Sequence, residues 1–281
     1  MEGSLTSPIS GDRASQVPAA QIMALDRRSA LGLAAGALAA PWPAPTQERT
    51  HRLRVGDDLE RAHLLGPGQT AYLRSQVRGE VHTPIDIWRR DIRIETVDGA
   101  ERLILSERRD GAGAAGDVLE QRAVFEPGSL RPVRHQRVLR RGGRSQVQAF
   151  RFSDAGAAGD QTVADNESAT FAQPFDEPMF NFEADMELLR ALPWRPGYSV
   201  SIPFHQPGAA TAARYIWSVR EATTLAAPDG RAIDCWVVET DYNLPGSPPA
   251  RFWLARSTQL VLKMEAQAPD GTLHRKTLLT I

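Results

Sequence analysis

From residue 65 onward, apolar and polar positions alternate with a period of two. In "YSVSIPF", Val200, Ile202 and Phe204 share one face and Ser199, Ser201 and Pro203 the other. "YIWSV" aligns Tyr215, Trp217 and Val219. In "QLVLKMEA", Leu260, Leu262, Met264 and Ala266 alternate with Gln259, Val261, Lys263 and Glu265. Side chains of a strand point to opposite faces in turn, so this pattern predicts strands with one face on a core and one in water. Noisier runs predict further strands over 70–77, 85–96, 102–108, 118–125, 133–140, 145–152, 232–240, 250–255 and 273–280. "VDGAE", "PDGR", "PDGT" and the pair Gly142-Gly143 fall between them, where tight turns need residues that accept positive φ. "EADMELLRALP" predicts one helix over 183–192: Met186, Leu189 and Leu192 recur at helical spacing, acids crowd the first turn, and Pro193 ends it. Many antiparallel strands with one or few short helices predict a mainly β fold, a single curved sheet over residues 65–281.

The N-terminal pattern is different. "DRRSALGLAAGALAAP" sets Arg27 and Arg28 before a run of Ala, Leu and Gly from Ala30 to Ala40. That run is far short of the ~20 apolar residues of a spanning helix. It matches the apolar core of an export signal, with Ala37-Leu38-Ala39 as the small-residue site and cleavage expected near Ala39–Ala40. The adjacent arginines and weakly apolar core resemble a twin-arginine signal, though Ala30 and Asp26 replace that motif's usual residues; the general secretory route fits as well. Met23 gives a signal of ordinary length, 23–39. Residues 1–22 then read as an over-called start or a disordered tail, and 40–64 as a linker and first irregular segment. The expected location is the periplasm, with no transmembrane span in the mature chain.

Composition narrows the function classes. The formal net charge is −1, which argues against a general polyanion binder. Arginine outnumbers lysine 31 to 2, a bias that reads as a GC-rich genome rather than a binding code. Cys235 is the single cysteine, so no internal disulfide can form even after export, and none lies near the cleavage site to carry a lipid. Within "AIDCWVVET" it reads as a small buried hydrophobe.

Candidate chemistry is sparse. "GAGAAG", Gly111–Gly116, has the G-x-G-x-x-G spacing, but a strand pattern follows where a dinucleotide site needs a helix, and Pro127–Phe152 holds no acid to grip a ribose. "AGAAGD" at 112–117 and 155–160 reads as two glycine-alanine loops. The acid-free window carries Arg134, Arg137, Arg140, Arg141 and Arg144, candidates for an anionic surface, against the plainer reading of a solvated strand pair. Asp176, Glu177, Glu183, Asp185 and Glu187 read as acids around a helix start, with no calcium-loop pattern. The six histidines His51, His63, His82, His135, His205 and His274 show no metal-ligand spacing, and no G-x-S-x-G elbow is present. No catalytic residue, metal or cofactor is assigned. The tryptophans are more suggestive: Trp88, Trp194, Trp217 and Trp253, with Leu260, Leu262 and Met264, could line an apolar cavity, or simply fill the core.

"LLRALPWRPGYSVSIPF", then "ARFWLARSTQLVLKMEAQAPDG", with "FEPGSLRP" between strands, is similar to a pattern in a family of bacterial envelope proteins of unknown function. The resemblance spans most of residues 65–281. That family resembles in architecture the lipoprotein carriers LolA and LolB, which wrap an open antiparallel half-barrel around helices and hold lipid chains. The resemblance implies a half-barrel and a lipid, lipoprotein or other apolar partner; it transfers no functional residue. The chain departs from it in having one helix and no lipidated cysteine. Three readings follow: a non-catalytic periplasmic carrier, a packed envelope protein that docks a partner, and a hydrolase. None involves nucleic acid.

Overall fold

The computed structural model describes residues 49–111, 116–227, 230–244 and 246–280. The expected signal with Arg27, Arg28, Ala37 and Ala39, and most of "GAGAAG", lie outside the described residues. The strands are β1 (His51–Arg52), β2 (Gly68–Arg78), β3 (Val81–Val97), β4 (Ala100–Asp110), β5 (Val118–Phe125), β6 (Pro132–Arg141), β7 (Arg144–Ser153), β8 (Gly156–Gly159), β9 (Ala172–Pro174), β10 (Phe180–Asn181), β11 (Ser199–His205), β12 (Ala212–Ala226), β13 (Ala232–Thr240), β14 (Ala250–Ala255), β15 (Val261–Gln267) and β16 (Leu273–Thr280), with one helix, α1 (Asp185–Arg190).

They form one sheet in the order β1-β11-β12-β13-β14-β15-β16-β2-β3-β4-β5-β6-β7-β8-β9. Neighbours pair antiparallel except at β11, whose free edge takes β1 and β10 in parallel. Every predicted strand is present. Gly142 and Gly143, at φ 54° and 75°, close the β6–β7 hairpin as a two-residue turn.

Three features depart from the periodicity. The loop expected at 155–160 is β8, held between β7 and β9. Gln259 sits at φ 56°, and a register shift separates Trp253 from Leu254 against β15. Val261, placed on the wet face by simple alternation, is therefore fully buried in the core beside Met264, while Leu262 is only half-buried. The stretch set apart as a linker also supplies core residues: Leu53 and Leu59 join Leu65 in the central cluster.

The sheet curls strongly. β11 and β7 are eleven strand spacings apart in that order, about 50 Å if flat. Yet Phe152 on β7 lies 6.1 Å from the ring of His205 on β11. Phe171 and Phe175 flank the same imidazole at 6.2 and 5.0 Å. Among the described residues no ladder of hydrogen bonds joins the two ends, so the half-barrel is shut by side chains and stays open as a sheet.

α1 descends through this curl. We call the end carrying the β2–β3 turn the upper end. The segment from Phe182 to Asp185 is upper; Leu192 and Trp194 are lower, where Arg61 N–H donates to Ala191 O (3.0 Å). Asp185, Met186, Glu187, Leu188 and Leu189 are all buried, so the helix has no wet face. It meets Leu103 and Leu105 of β4, Phe125 of β5, Val200 and Ile202 of β11, and Phe252 of β14 in one continuous core. No helix among the described residues is long and apolar enough to cross a membrane.

Candidate functional site

Because α1 is buried all round, its acids need partners inside the sheet. Arg90 supplies them. It occupies an inward position of β3, between Trp88 and Ile92, and stands opposite Glu107 of β4. Its Nη1 donates to Glu107 Oε1 (2.7 Å), its Nε to Glu187 Oε1 (3.1 Å) and its Nη2 to the Glu183 carbonyl (2.9 Å) and to Glu187 Oε2. Glu107 Oε2 accepts from Trp88 Nε1 (2.8 Å) and Gln121 Nε2 (3.0 Å). Glu183 accepts from Gln206 (2.7 Å) and Gln121 (3.2 Å). Asn181 caps the 3-10 turn Phe182–Ala184 that leads into α1, taking the Glu183 amide on Oδ1 (3.0 Å) and giving Nδ2–H to His135 Nδ1 (3.3 Å).

Burial disfavours charge throughout this cluster, and the partners decide each outcome. For Arg90 burial opposes the charge, but Glu107 and Glu187 outweigh it and raise its pKa. For Glu107 burial dominates over Arg90 and pushes the carboxyl up to about 7. For Glu183 burial is overcome by Arg109, His135 and the Gln206 bond, which hold it down to about 2. His135, buried, falls to about 4.

A carboxyl near 7 suits a general acid or base. Glu107, however, has both oxygens bonded to protein donors and a side chain only 2% exposed. It cannot reach a substrate, and the arrangement serves to neutralise a buried helix. Among the described residues no group of His, Cys, Asp and Glu could hold a metal ion.

The upper end, above this cluster, is polar and reaches solvent. Arg74 of β2 gives Nη1 to Asp86 of β3 (3.0 Å). Arg109 of β4, side chain 24% exposed, lies over the Trp88 ring at 4.8 Å and meets Glu107 and Glu183 only at 3.6 and 3.7 Å. Lys276 of β16 stands 4.4 Å from the same ring, which Arg90 approaches at 4.3 Å. Arg137 of β6 donates to neutral Gln148.

The structure does not gather the apolar candidates. Trp88 belongs to the charged cluster. Trp194 packs at the lower end, edge-on to Tyr198 at 5.5 Å, with Nε1 donating to Leu189 O (2.7 Å). Trp217 is fully buried against Phe252 (5.0 Å) and Tyr242 (5.7 Å). Trp253 faces the convex side beneath Lys263 at 4.2 Å. Leu260 and Met264 are buried. Each of these tryptophan rings packs against neighbouring protein groups, and none of them lines either groove described below. Two open grooves, of 330 and 660 Å³, lie elsewhere: one along Val55, Arg131, Phe152 and Met179, the other along His51, Leu59, Pro193 and Tyr198.

The arginine window looks different once folded. Arg134 pairs with Asp98 (2.9 Å), Arg141 with Asp117 (2.7 Å) and Arg140 with Glu120. Neighbouring strands and turns supply the acids that the window itself lacks. Arg137 points inward, and Arg144 is exposed beside the hairpin tip. Among the acids, Glu177 pairs with Arg52 and Arg214 at the sheet edge. Cys235 is buried, its thiol pushed up to about 11 by burial. Arg90, Arg109 and Lys276 were not singled out by sequence; the weak signal was arginine or lysine at an inward phase of an alternating run.

A family model described as a protein of unknown function, DUF3108, matches residues 79–280. No curated protein matches the chain. Among solved structures it is similar to a β-barrel-like protein of the domain of unknown function DUF1849 from Brucella abortus, at 10% identity and a TM-score of 0.47, over 77% of this chain and 97% of that one. It is also similar to a DUF1329 family protein from Desulfovibrio piger, at 9% identity and a TM-score of 0.32, over 79% of this chain and 87% of that one.

Proposed function

The chain belongs to the DUF3108 family, and from that premise we propose that it is an exported, non-catalytic envelope protein whose packed half-barrel docks a partner. The observation that carries this reading is the filled concavity. α1 and the inward side chains of β2 to β5 and β11 to β15 form one core in which Leu105, Val200, Ile202, Trp217 and Phe252 have no exposed surface. A LolA- or LolB-like carrier needs that space for acyl chains, because a cavity for a lipid must be bounded by apolar walls that do not already touch each other. The same strand order and central helix therefore support the half-barrel architecture while directing the binding role to the surface and the open end. Export rests on the Arg27-Arg28 segment and its Ala37-x-Ala39 site.

Native mass spectrometry of the protein purified from its own periplasm tests both parts. The expected species starts near Ala40 and has a bare polypeptide mass. A co-purified lipid-sized mass would overturn the packed reading in favour of a carrier. A chain beginning at Met1 or Met23 would overturn export.

A further inference from the structure

We propose that the seam of the half-barrel is an acid-operated latch: protonation of His205 parts β7 and β9 from β11 while the sheet on either side stays folded. The inference goes beyond the docking reading, since it gives the fold a second state, and it holds whether or not the chain is exported. It rests on what closes the seam.

Among the described residues the two ends of the sheet meet without a backbone ladder, and His205 stands at the centre of the contact. Phe152 of β7 and the two residues flanking β9, Phe171 and Phe175, surround its ring at 6.1, 6.2 and 5.0 Å. Phe150 of β7 packs edge-on against Phe171 at 5.3 Å. The β11–β12 loop closes over the same place. A Cβ on Gly208, at φ 84°, would come 3.2 Å from Phe150 Cζ and 3.4 Å from Arg137 Nη2, so only glycine lets the loop lie this close. The contact is one of apolar rings, and it depends on the imidazole among them being neutral.

Hydrogen bonding fixes that neutral state. His205 Nδ1 lies 3.3 Å from Thr211 O, and a carbonyl only accepts, so Nδ1 carries the proton. Nε2 is buried with no partner among the described residues, and the side chain has no exposed surface. A second proton would make Nε2 a charged donor without an acceptor, and burying that charge costs more than phenyl faces return. No carboxylate stands by to offset it. On β6 the nearest charge is Arg137, and on β7 Arg151 is turned to Asp160 (2.9 Å). Beyond Phe175, Asp176 is exposed and Glu177 is held by Arg52 and by Arg214 of β12. β10 presents neutral Asn181, paired in register with His205 and donating to His135 of β6. Glu183 is bound by Gln206 and Gln121. The imidazole's pKa is lowered by burial and raised back in part by the Thr211 bond, with no charged neighbour contributing. The closed seam therefore keeps its full stability above the ordinary histidine value of about 6.5 and loses it as pH falls below. Parting the seam gives His205 water without unfolding the sheet, so local distances read it and the global unfolding free energy does not.

The test is the distance between spin labels placed by Ser145→Cys and Ala210→Cys, at exposed positions on β7 and on the β11–β12 loop, in the full chain carrying Cys235→Ala. It is measured by pulsed electron paramagnetic resonance from about pH 7.5 down to about pH 5. One short distance is expected at the upper pH. A longer one should grow on acidification, in step with the His205 ring titration followed by NMR. The longer distance is lost in His205→Phe, which keeps a ring and cannot take the proton. It persists in His135→Gln, which keeps an acceptor for Asn181. One distance at every pH overturns the proposal, and so does a longer distance that His205→Phe retains or that His135→Gln abolishes. If His205→Phe fails to hold the short distance at the upper pH, the chain with His205 intact decides: an opening midpoint more than about one pH unit from the His205 titration overturns the latch, and a coincident one supports it.

Discussion

At Arg90 an inward strand position that would ordinarily carry an aliphatic side chain carries a guanidinium, 2% exposed, with four hydrogen bonds directed at two carboxylates and a carbonyl. Removing one member of a buried ion cluster leaves the others charged in a poor solvent, which costs about 3–5 kcal/mol, whereas replacing the whole cluster by neutral groups is far milder. Arg90→Met is therefore expected to lower the urea midpoint strongly, and Arg90→Met combined with Glu107→Gln and Glu187→Gln to recover most of the loss. A single-variant cost under about 1 kcal/mol, the size of an ordinary surface change, would show that the cluster does not support the fold. The segment "IDIWRRDIRIE" has arginines at both phases of its alternation, Arg90 on one face and Arg89 and Arg93 on the other. Nothing local tells which phase turns inward. The same holds for the outer arginines: Arg134, Arg140 and Arg141 lack acids within their own window and find them on β5 and on the turns beside β3 and β4.

At the scale of elements, most strands were legible because a pleat repeats every two residues, and each predicted run overlaps an observed strand, with Gln259 and Leu260 falling in the turn before β15. The exceptions have local causes. β8 is "GAAG", too small and too rich in glycine to show any alternation, and it is a strand because β7 and β9 pair with it from both sides. Gly159 shows why the residue there is small. A Cβ would come 1.9 Å from Ser168 O and 2.8 Å from Ala169 Cα, both backbone atoms that cannot rotate away. Gly159→Ala is expected to break the Gly159 N–H to Phe171 O bond (2.8 Å), free the β8–β9 end and cost about 2–3 kcal/mol. Gly66→Ala, with nothing within 4 Å of its Cβ, should stay within about 0.5 kcal/mol. Amide hydrogen exchange would show lost protection at Ala157 and Phe171 in the first variant alone; equal exchange in both would refute the steric account. α1 was legible as a helix, but its spacing suggested one buried face. Its complete burial, which turns Glu183 and Glu187 from solvated first-turn acids into counter-ions, belongs to the sheet that surrounds it.

For the whole molecule, the polar interior couples stability to pH. His135 is neutral in the fold, its pKa lowered by burial to about 4. Its contribution is present above its ordinary value near 6.5 and is lost as pH falls toward 4, on the order of 3 kcal/mol. Glu107 acts in the opposite sense: raised to about 7, it favours the fold below pH 4.5 and loses that contribution as pH rises through 7. The two offset one another between pH 4.5 and 7. Below 4.5 stability falls, because Glu177, held down to about 2 by its Arg214 and Arg52 bonds, and Glu183, also near 2, must take up protons. His135→Gln keeps an acceptor for Asn181 and removes one of the opposing titrations. Its unfolding free energy is expected to rise as pH goes from 7 to 4.5, while that of the wild-type chain stays nearly level. Parallel curves for the two proteins would rule out His135 as the opposing group.

Alternation, turn residues and the capped apolar repeat near residue 186 are local properties, and they determined by themselves a mainly β antiparallel fold with one short helix. The tertiary structure alone decided how far the sheet curls, which phase of each strand lines the interior, and that α1 fills it. It also brought Phe152 to His205 across the seam and Arg90 to Glu107 and Glu187. The physical reason is that a period-two pattern separates two faces without saying which is concave. Charge neutralisation between strands depends on register and curvature, which join residues far apart in the chain.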